Sequence, residues 1–443
     1  AGADRHKRGV AVLVLERDSS AGGTMKTIRR NGYLVEAGPN SALETTPIFK
    51  ELVRDLRLEN EFVYANPAGK NRFILKNGKL LALPLGPIAF LRTPLFSSRA
   101  KVRLLKEPFV GRANFEESIA QFVERRLGNE FLDYAINPFV AGVYAGEPER
   151  LSVRAAFPKL YALEERYGGL IRGMVGGVRE RKKRAEKAKD RAETFSFQSG
   201  MQILPLALAA SLGKQVMFDA SATSVEPDPT GWRVGVSVAG QQCTFASDAV
   251  IISTPAEVSA TLIRPLSAGV ATRMDSIYYP PVASVFAVFD RSAISHSLDG
   301  FGFLIPARER RQILGALWSS SLFPHRCPEN EAAFTIFVGG ARQPELAKLD
   351  EDRIADVAVR ELKSIMHIPG NPVYLSVTCW PKAIPQYEVG YTDIVRRIKE
   401  FESQHKGLYF CSNFIGGISV GDCVKSASET AERVGAHLRK IEL

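Results

Sequence analysis

Cysteine is scarce in this sequence and badly placed for structural work. The five residues, Cys243, Cys327, Cys379, Cys411 and Cys423, are scattered and form no C-x-x-C pair. That argues against a disulfide framework or a thiolate metal site, and for a reducing compartment. The six histidines show no ligand spacing either. Long hydrophobic runs are missing: every uncharged apolar stretch falls short of the roughly 18 residues that a membrane-spanning helix needs. No secretory leader pattern opens the chain.

What is present is the composition of an ordinary globular protein, 45% apolar and 24% charged, in 443 residues. That is enough chain for two or three domains and a sizeable core. The net charge of +10 is uneven, because residues 179–191 hold eight basic and three acidic side chains. The run reads as a solvated loop or exposed helix, or as a patch for an acidic membrane surface. No aromatic residue stands among its charges, so nucleic acid is not an expected partner.

Residues 12–40 organise the rest. Val12-Leu13-Val14-Leu15-Glu16 reads as a short buried parallel strand with a carboxylate at its C-terminal tip. In dinucleotide-binding folds such a carboxylate accepts hydrogen bonds from ribose hydroxyls. Gly22-Gly23 lets backbone approach a ligand with no Cβ in the way. Taken alone, the stretch reads equally as an ordinary strand and a glycine turn. Further on, Thr46-Pro47 followed by Phe49, Leu52, Val53 and Leu56 predicts a helix. Residues 70–83 predict a hairpin with a type I′ turn at Asn77-Gly78. Residues 83–96 are apolar, broken by Pro84, Pro87 and Pro94, and flanked by Arg92, Arg99, Lys101, Arg103 and Lys106. They suit a surface lying on a membrane and an internal helical lobe equally. Residues 115–145 are expected to be helical, with Phe115, Ile119, Phe122 and Val123 on one face. Residues 216–225 predict one strand, 282–342 alternating strands, and 354–366 an amphipathic helix.

Five motifs follow one another in a telling order. They are Glu16-Arg17-x-x-x-x-Gly22-Gly23, the block from Arg125-Arg126-Leu127-Gly128 to Val143-Tyr144-Ala145-Gly146, Phe197-Gln198-Ser199-Gly200-Met201, Trp380 with Ile384-Pro385-Gln386-Tyr387, and Gly416-Gly417-Ile418-Ser419-Val420-Gly421-Asp422. The set resembles the superfamily of flavin-containing amine oxidases and protoporphyrinogen oxidases, and the second block resembles the protoporphyrinogen oxidases in particular. In the third, Ser199 replaces a family glycine. In the last, a helix is expected from Cys423 on, opened by Asp422.

The resemblance implies FAD, held by Glu16, Arg17, Gly22, Gly23, Gly38, Pro39, Ala222, Trp380, Ser419, Val420 and Asp422. It implies no catalytic side chain, since the flavin carries the chemistry. It implies a porphyrinogen substrate held by Arg72, Asn40, Phe301, Gly302, Leu304 and Phe337, with O2 as acceptor. The expected fold is α/β and α+β in three parts: a Rossmann-like FAD-binding domain (1–36, 193–255 and 378–443), a mixed-sheet substrate-binding domain (37–69, 144–192 and 256–377), and a helical membrane-associated lobe (70–143). The expected reaction is the six-electron oxidation of protoporphyrinogen IX to protoporphyrin IX in heme biosynthesis, with coproporphyrinogen III as the alternative substrate. The expected place is the membrane periphery on the cytoplasmic side, or the cytoplasm, and a homodimer is left open.

The family's opening strand and G-x-G-x-x-G are not found. Fifteen residues precede Glu16, whereas the glycines should lie about 20 residues before the acid. Residues 1–9 therefore read as the tail of a first helix and the chain as cut there, with FAD binding weakened. An amine oxidase, a carotenoid desaturase and a truncated flavin-free paralogue stand as rival readings.

Overall fold

A computed structural model describes residues 10–176 and 192–441. The helix tail expected at 1–9 and the basic run at 179–191 lie outside the described residues. The dominant element is a seven-stranded mixed sheet. Its spatial order is Tyr374–Trp380, Val282–Asp290, Glu331–Gly339, Gly315–Leu317, Gly300–Leu304, Asn71–Lys76 and Lys79–Ala82. All neighbours are antiparallel except Gly300–Leu304 beside Asn71–Lys76. The expected hairpin closes this sheet, with φ of +51° at Asn77 and +74° at Gly78, as a type I′ turn requires. It stands at the head of the 70–143 stretch but belongs to the large sheet, not to the helices.

One face of the sheet packs Val285, Phe303, Phe334 and Ile336 against the helix Glu351–Met366, which buries Ile354, Ala358 and Leu362. Asp350 caps that helix, accepting from Arg353 N at 2.9 Å. The other face is covered too. Val35, Phe286, Val288 and Ala333 form a second cluster on it. The strand Val282–Asp290 is therefore buried along nearly its whole length, where alternation was expected. An alternating pattern needs one solvated face, and this sheet lacks one there.

The nucleotide-fold part is built from two parallel pairs: Val14–Leu15 beside Val216–Met217, and Val250–Ile252 beside Leu408–Phe410. Val14, Leu15, Val216 and Met217 are half-buried. The single strand expected over 216–225 breaks at Asp219, whose φ is +52°. A second strand, Ala220–Asp228, then pairs with Gly231–Val238.

Residues 87–176 fold into short helices, and two sequence expectations need correcting there. Phe115 precedes the helix Ile119–Arg126 and is exposed, because Ser118 and Gln121 form a capping box that starts the helix after it. The run to 145 is also not one helix: it breaks at Leu127-Gly128 and carries a π-turn at Leu132–Ile136. A buried ion network ties the helices together. Arg126 lies 2.7 Å from Glu107 and also meets Glu164, and all three are nearly free of solvent. Glu107 additionally accepts from the N–H groups of Leu170 (2.7 Å) and Ile171 (3.0 Å). Among the described residues no helix is long and apolar enough to cross a membrane.

Candidate functional site

The sheet register gathers residues that are far apart in sequence. Arg72 stands beside Gly302, Gly302 beside Leu317, and Leu317 beside Thr335. Side chains in register share a face, as do residues two apart on one strand. Arg72, Gly302, Leu304, Thr335 and Phe337 therefore point to the same side. Strict alternation would turn Phe301 away. The register slips between Gly300 and Gly302, and Arg72 Cζ lies 5.0 Å from the Phe301 ring centroid. The bulge re-aims the ring toward the arginine. Gly302 makes this fit possible: its φ is +134°, and a Cβ there would lie 2.1 Å from Ala316 O.

Arg72 is an unusual arginine. It is solvent-accessible, yet desolvation holds its pKa below the ordinary value. A cation inside a concavity behaves this way; one on a convex surface does not. No carboxylate pairs with it among the described residues, and its guanidinium lies over the Phe301 ring. The helix Asn137–Tyr144 roofs the same face. A Cβ on Gly142 would meet Leu304 Cδ2 at 2.6 Å, so glycine is what lets the helix lie that close. Phe139 and Val143 of this helix are exposed beside it.

Asn40 comes to the same face through Thr335, whose hydroxyl donates to Asn40 Oδ1 at 3.2 Å. The backbone beneath Asn40 is pinned by charge. Glu36 and Arg326 are almost fully buried and pair at 2.7 Å. Arg326 also donates to Ser196 Oγ at 2.6 Å and reaches Asn40 O at 3.4 Å. Glu36 further accepts from Met201 N (2.8 Å) and Thr27 Oγ1 (2.7 Å). Nothing in the sequence reading singled out Glu36, Arg326, Thr335 or Gly142 as site residues. A glycine inside a helix, which costs about 1 kcal/mol against alanine, was the available signal for Gly142. No local signal marks the other three.

The second half of the site is bare backbone. Gly22 (φ +137°) and Gly23 (φ +54°) form a turn closed by Met25 N donating to Gly22 O at 2.8 Å. A Cβ on Gly23 would meet nothing within 4 Å, so this backbone faces open space. A Cβ on Gly38 would fall 1.8 Å from Thr24 O, which fixes the following Pro39-Asn40 against the turn. Trp380 Nε1 donates to Ala37 O at 2.7 Å and docks this segment on the edge strand of the sheet. Glu16 accepts from Asp18 N at 2.9 Å through one oxygen. Its second oxygen has no partner among the described residues. Arg17 lies largely in solvent, with Asp18 at 3.4 Å, and is not brought into the turn. Ala222 sits where the register of its strand shifts.

The closing helix is Val420–Ile441, three residues earlier than expected. Ser419, not Asp422, precedes its first turn: Ser419 Oγ accepts from Asp422 N at 3.1 Å and donates to Asp422 Oδ2 at 2.6 Å. Asp422 lies inside that turn as the reciprocal partner. Gly421 packs against Thr45, so this helix start lies beside the chain just past Asn40. The free N–H groups of a helix start favour negative charge. Burial pushes the nearby Cys423 thiol up to about 11, so it stays protonated at neutral pH.

Comparison with known proteins agrees with this architecture. The family model described as flavin containing amine oxidoreductase matches residues 6–435. The chloroplastic protoporphyrinogen oxidase of Nicotiana tabacum is 33% identical over 97% of this chain and 82% of its own. The coproporphyrinogen III oxidase of Bacillus subtilis is 26% identical over 93% and 89%. A crystal structure from Exiguobacterium sp. 255-15 superposes with a TM-score of 0.80 at 21% identity, over 98% of this chain and 94% of that one; it speaks for the fold alone. The residues present suit a flavin: the open Gly23 backbone, the part-free Glu16 carboxylate and the helix start at Ser419 offer a Cβ-free cradle, a ribose acceptor and a site for negative charge. The chain belongs to the flavin-containing amine oxidoreductase family, within it to the protoporphyrinogen oxidases, and its cofactor is FAD.

Proposed function

We propose that the protein oxidises a porphyrinogen to the porphyrin, with protoporphyrinogen IX ahead of coproporphyrinogen III. The observation that carries this is the Arg72 face. An accessible guanidinium, unpaired among the described residues, stands over Phe301 and shares its face with Leu304 and Phe337, which suits a large flat apolar ring bearing carboxylate arms. Bound FAD supplies the two-electron acceptor, reoxidised by O2. The rest falls to the chain. Arg72 clamps a carboxylate bidentately. Phe301, Leu304 and Phe337 hold the ring and exclude water, and the Gly22-Gly23 turn, Gly38 and the Ser419 helix start fix the cofactor. No side chain need form a covalent intermediate, since the bound flavin would carry the chemistry. The substrate preference is supported by the relatives: identity is 33% to the protoporphyrinogen oxidase and 26% to the coproporphyrinogen III oxidase.

In this reading residues 1–36, 193–255 and 378–443 bind FAD, and the large sheet binds substrate. The helical lobe lies on a membrane without crossing it. Leu85, Ile88 and Leu91 are each 68% exposed and Phe109 83%, an arrangement that water alone does not favour. Arg92, Arg99 and Lys106 are exposed beside them. Lys101 is instead spent inside, donating to Leu91 O and Thr93 O at 2.8 Å. Phe90 also turns inward, 6.0 Å from Phe131. FAD-loaded protein in air should generate porphyrin fluorescence from protoporphyrinogen IX, and more slowly from coproporphyrinogen III. Oxidation of an amine but of neither porphyrinogen would overturn the proposal.

A further inference from the structure

Asn40 has a fixed orientation, and the orientation restricts what it can bind. Its Oδ1 accepts from Thr335 Oγ1 at 3.2 Å, and Thr335 Oγ1 is itself 2.7 Å from Ser319 Oγ. Thr335 is 1% exposed and Ser319 4%, so no water competes for either hydroxyl. On the other side, Asn40 Nδ2 makes a 3.5 Å contact with Gly38 O. Flipping the amide would set Oδ1 against that carbonyl, acceptor against acceptor. The backbone cannot turn to compensate, because Arg326, paired with Glu36, holds Asn40 O together with Ser196. The second N–H of Nδ2 has no partner among the described residues, and Asn40 is only half-buried.

We propose that Thr335 is a positioning residue that orients Asn40 to offer an Nδ2 N–H to a carbonyl or carboxylate oxygen at the junction of the flavin turn and the Arg72 face. The assignment rests on the reading of that face as the substrate site. It favours an acceptor over a pyrrole N–H as the partner of Asn40, since Thr335 already occupies one of the two Oδ1 lone pairs while one N–H of Nδ2 has no partner among the described residues. An oxygen of a substrate carboxylate and a carbonyl of the flavin share the required chemistry. Thr335 does not touch either one. It works through Asn40, from the same strand and the same face as Phe337.

Kinetics of Asn40→Ala, Asn40→Asp, Thr335→Val and Thr335→Ser in FAD-loaded protein test this, with thermal midpoints and flavin content measured alongside. Asn40→Asp keeps the shape but loses both donors, so it should fall as far as Asn40→Ala. Thr335→Val should lower kcat/KM by roughly tenfold, about the loss of one hydrogen bond, and Thr335→Ser should restore it. In the Asn40→Ala background Thr335→Val should have no further effect; a merely structural role would subtract in both backgrounds. A raised KM with FAD affinity unchanged assigns the acceptor to the substrate, and weakened FAD binding assigns it to the flavin; both agree with the proposal. Full activity of Asn40→Ala would remove Asn40 from the site and overturn this proposal, while the proposed porphyrinogen oxidation would stand. Impaired Asn40→Ala beside unimpaired Thr335→Val or active Asn40→Asp would overturn the positioning role alone. If Thr335→Val does not fold, the Asp variant still decides.

Discussion

Replacing Arg72 by alanine isolates substrate anchoring from folding, because among the described residues no carboxylate pairs with the guanidinium. Its guanidinium lies 5.0 Å from the Phe301 ring centroid, a contact worth about 0.5–1 kcal/mol at an accessible site. Its desolvation, seen in the lowered pKa, is a standing cost that the variant removes. The two act in opposite directions, so the thermal midpoint and FAD content should hardly change. The lost contact is a charge-assisted hydrogen bond to a substrate carboxylate, worth about 1.5–3 kcal/mol. That converts to a rise in KM of about 10- to 150-fold. Lysine keeps the charge but not the fork, so Arg72→Lys should fall between. The assay is steady-state porphyrin formation over a range of porphyrinogen concentrations. An unchanged KM in Arg72→Ala would refute the anchoring, and a lowered midpoint would mean that the side chain supports the sheet.

Phe337→Ala should lower kcat by about 10²-fold through loosened positioning while FAD stays bound; loss of FAD would show that this strand supports the cofactor as well. Gly38→Ala should abolish FAD retention, because its Cβ would fall 1.8 Å from Thr24 O, and a yellow, active Gly38→Ala protein would contradict that. Ile88→Glu with Leu91→Glu should weaken co-sedimentation with anionic vesicles, as should salt. Equal sedimentation of variant and parent would retire the membrane face. Burial pushes the Glu107 carboxyl up, but the N–H groups of Leu170 and Ile171 and the Arg126 guanidinium outweigh it and hold its pKa below the ordinary value. Its contribution is thus present above the unfolded pKa, about 4.3, and lost as pH falls through the folded value. Thermal midpoints should drop on acidification through that window, and Glu107→Gln should flatten the drop; an unaltered acid profile in Glu107→Gln would contradict the assignment.

The sequence was most legible where local chemistry decides. Asn77-Gly78 needs positive φ and marks its own turn. Gly22-Gly23 announces a turn, and both residues take the positive φ that glycine favours. Arg72, Phe301, Leu304 and Phe337 came from resemblance, and the register brings them to one face although more than 200 residues separate Arg72 from the rest. The bulge that turns Phe301 inward could not be read from alternation, which points it the other way. Glu36, Arg326 and Thr335 were missed because their meaning is tertiary. An acid at a strand end or a threonine in an apolar strand has a bland local reading, and only the pairing across 290 residues gives Glu36 its partner. Asp422 was set one role too far: Ser419 carries the cap, and a serine followed three residues later by an acid was the available signal. Phe115 shows the limit of periodicity, since a capping box starts the helix after it.

Anaerobic addition of protoporphyrinogen IX to FAD-loaded protein tests the central claim most directly, with flavin absorbance and porphyrin fluorescence followed together. The expected result is bleaching of the yellow flavin band as porphyrin appears, with the colour returning on admission of O2. A flavin band that stays yellow while porphyrinogen is bound and unoxidised would contradict it.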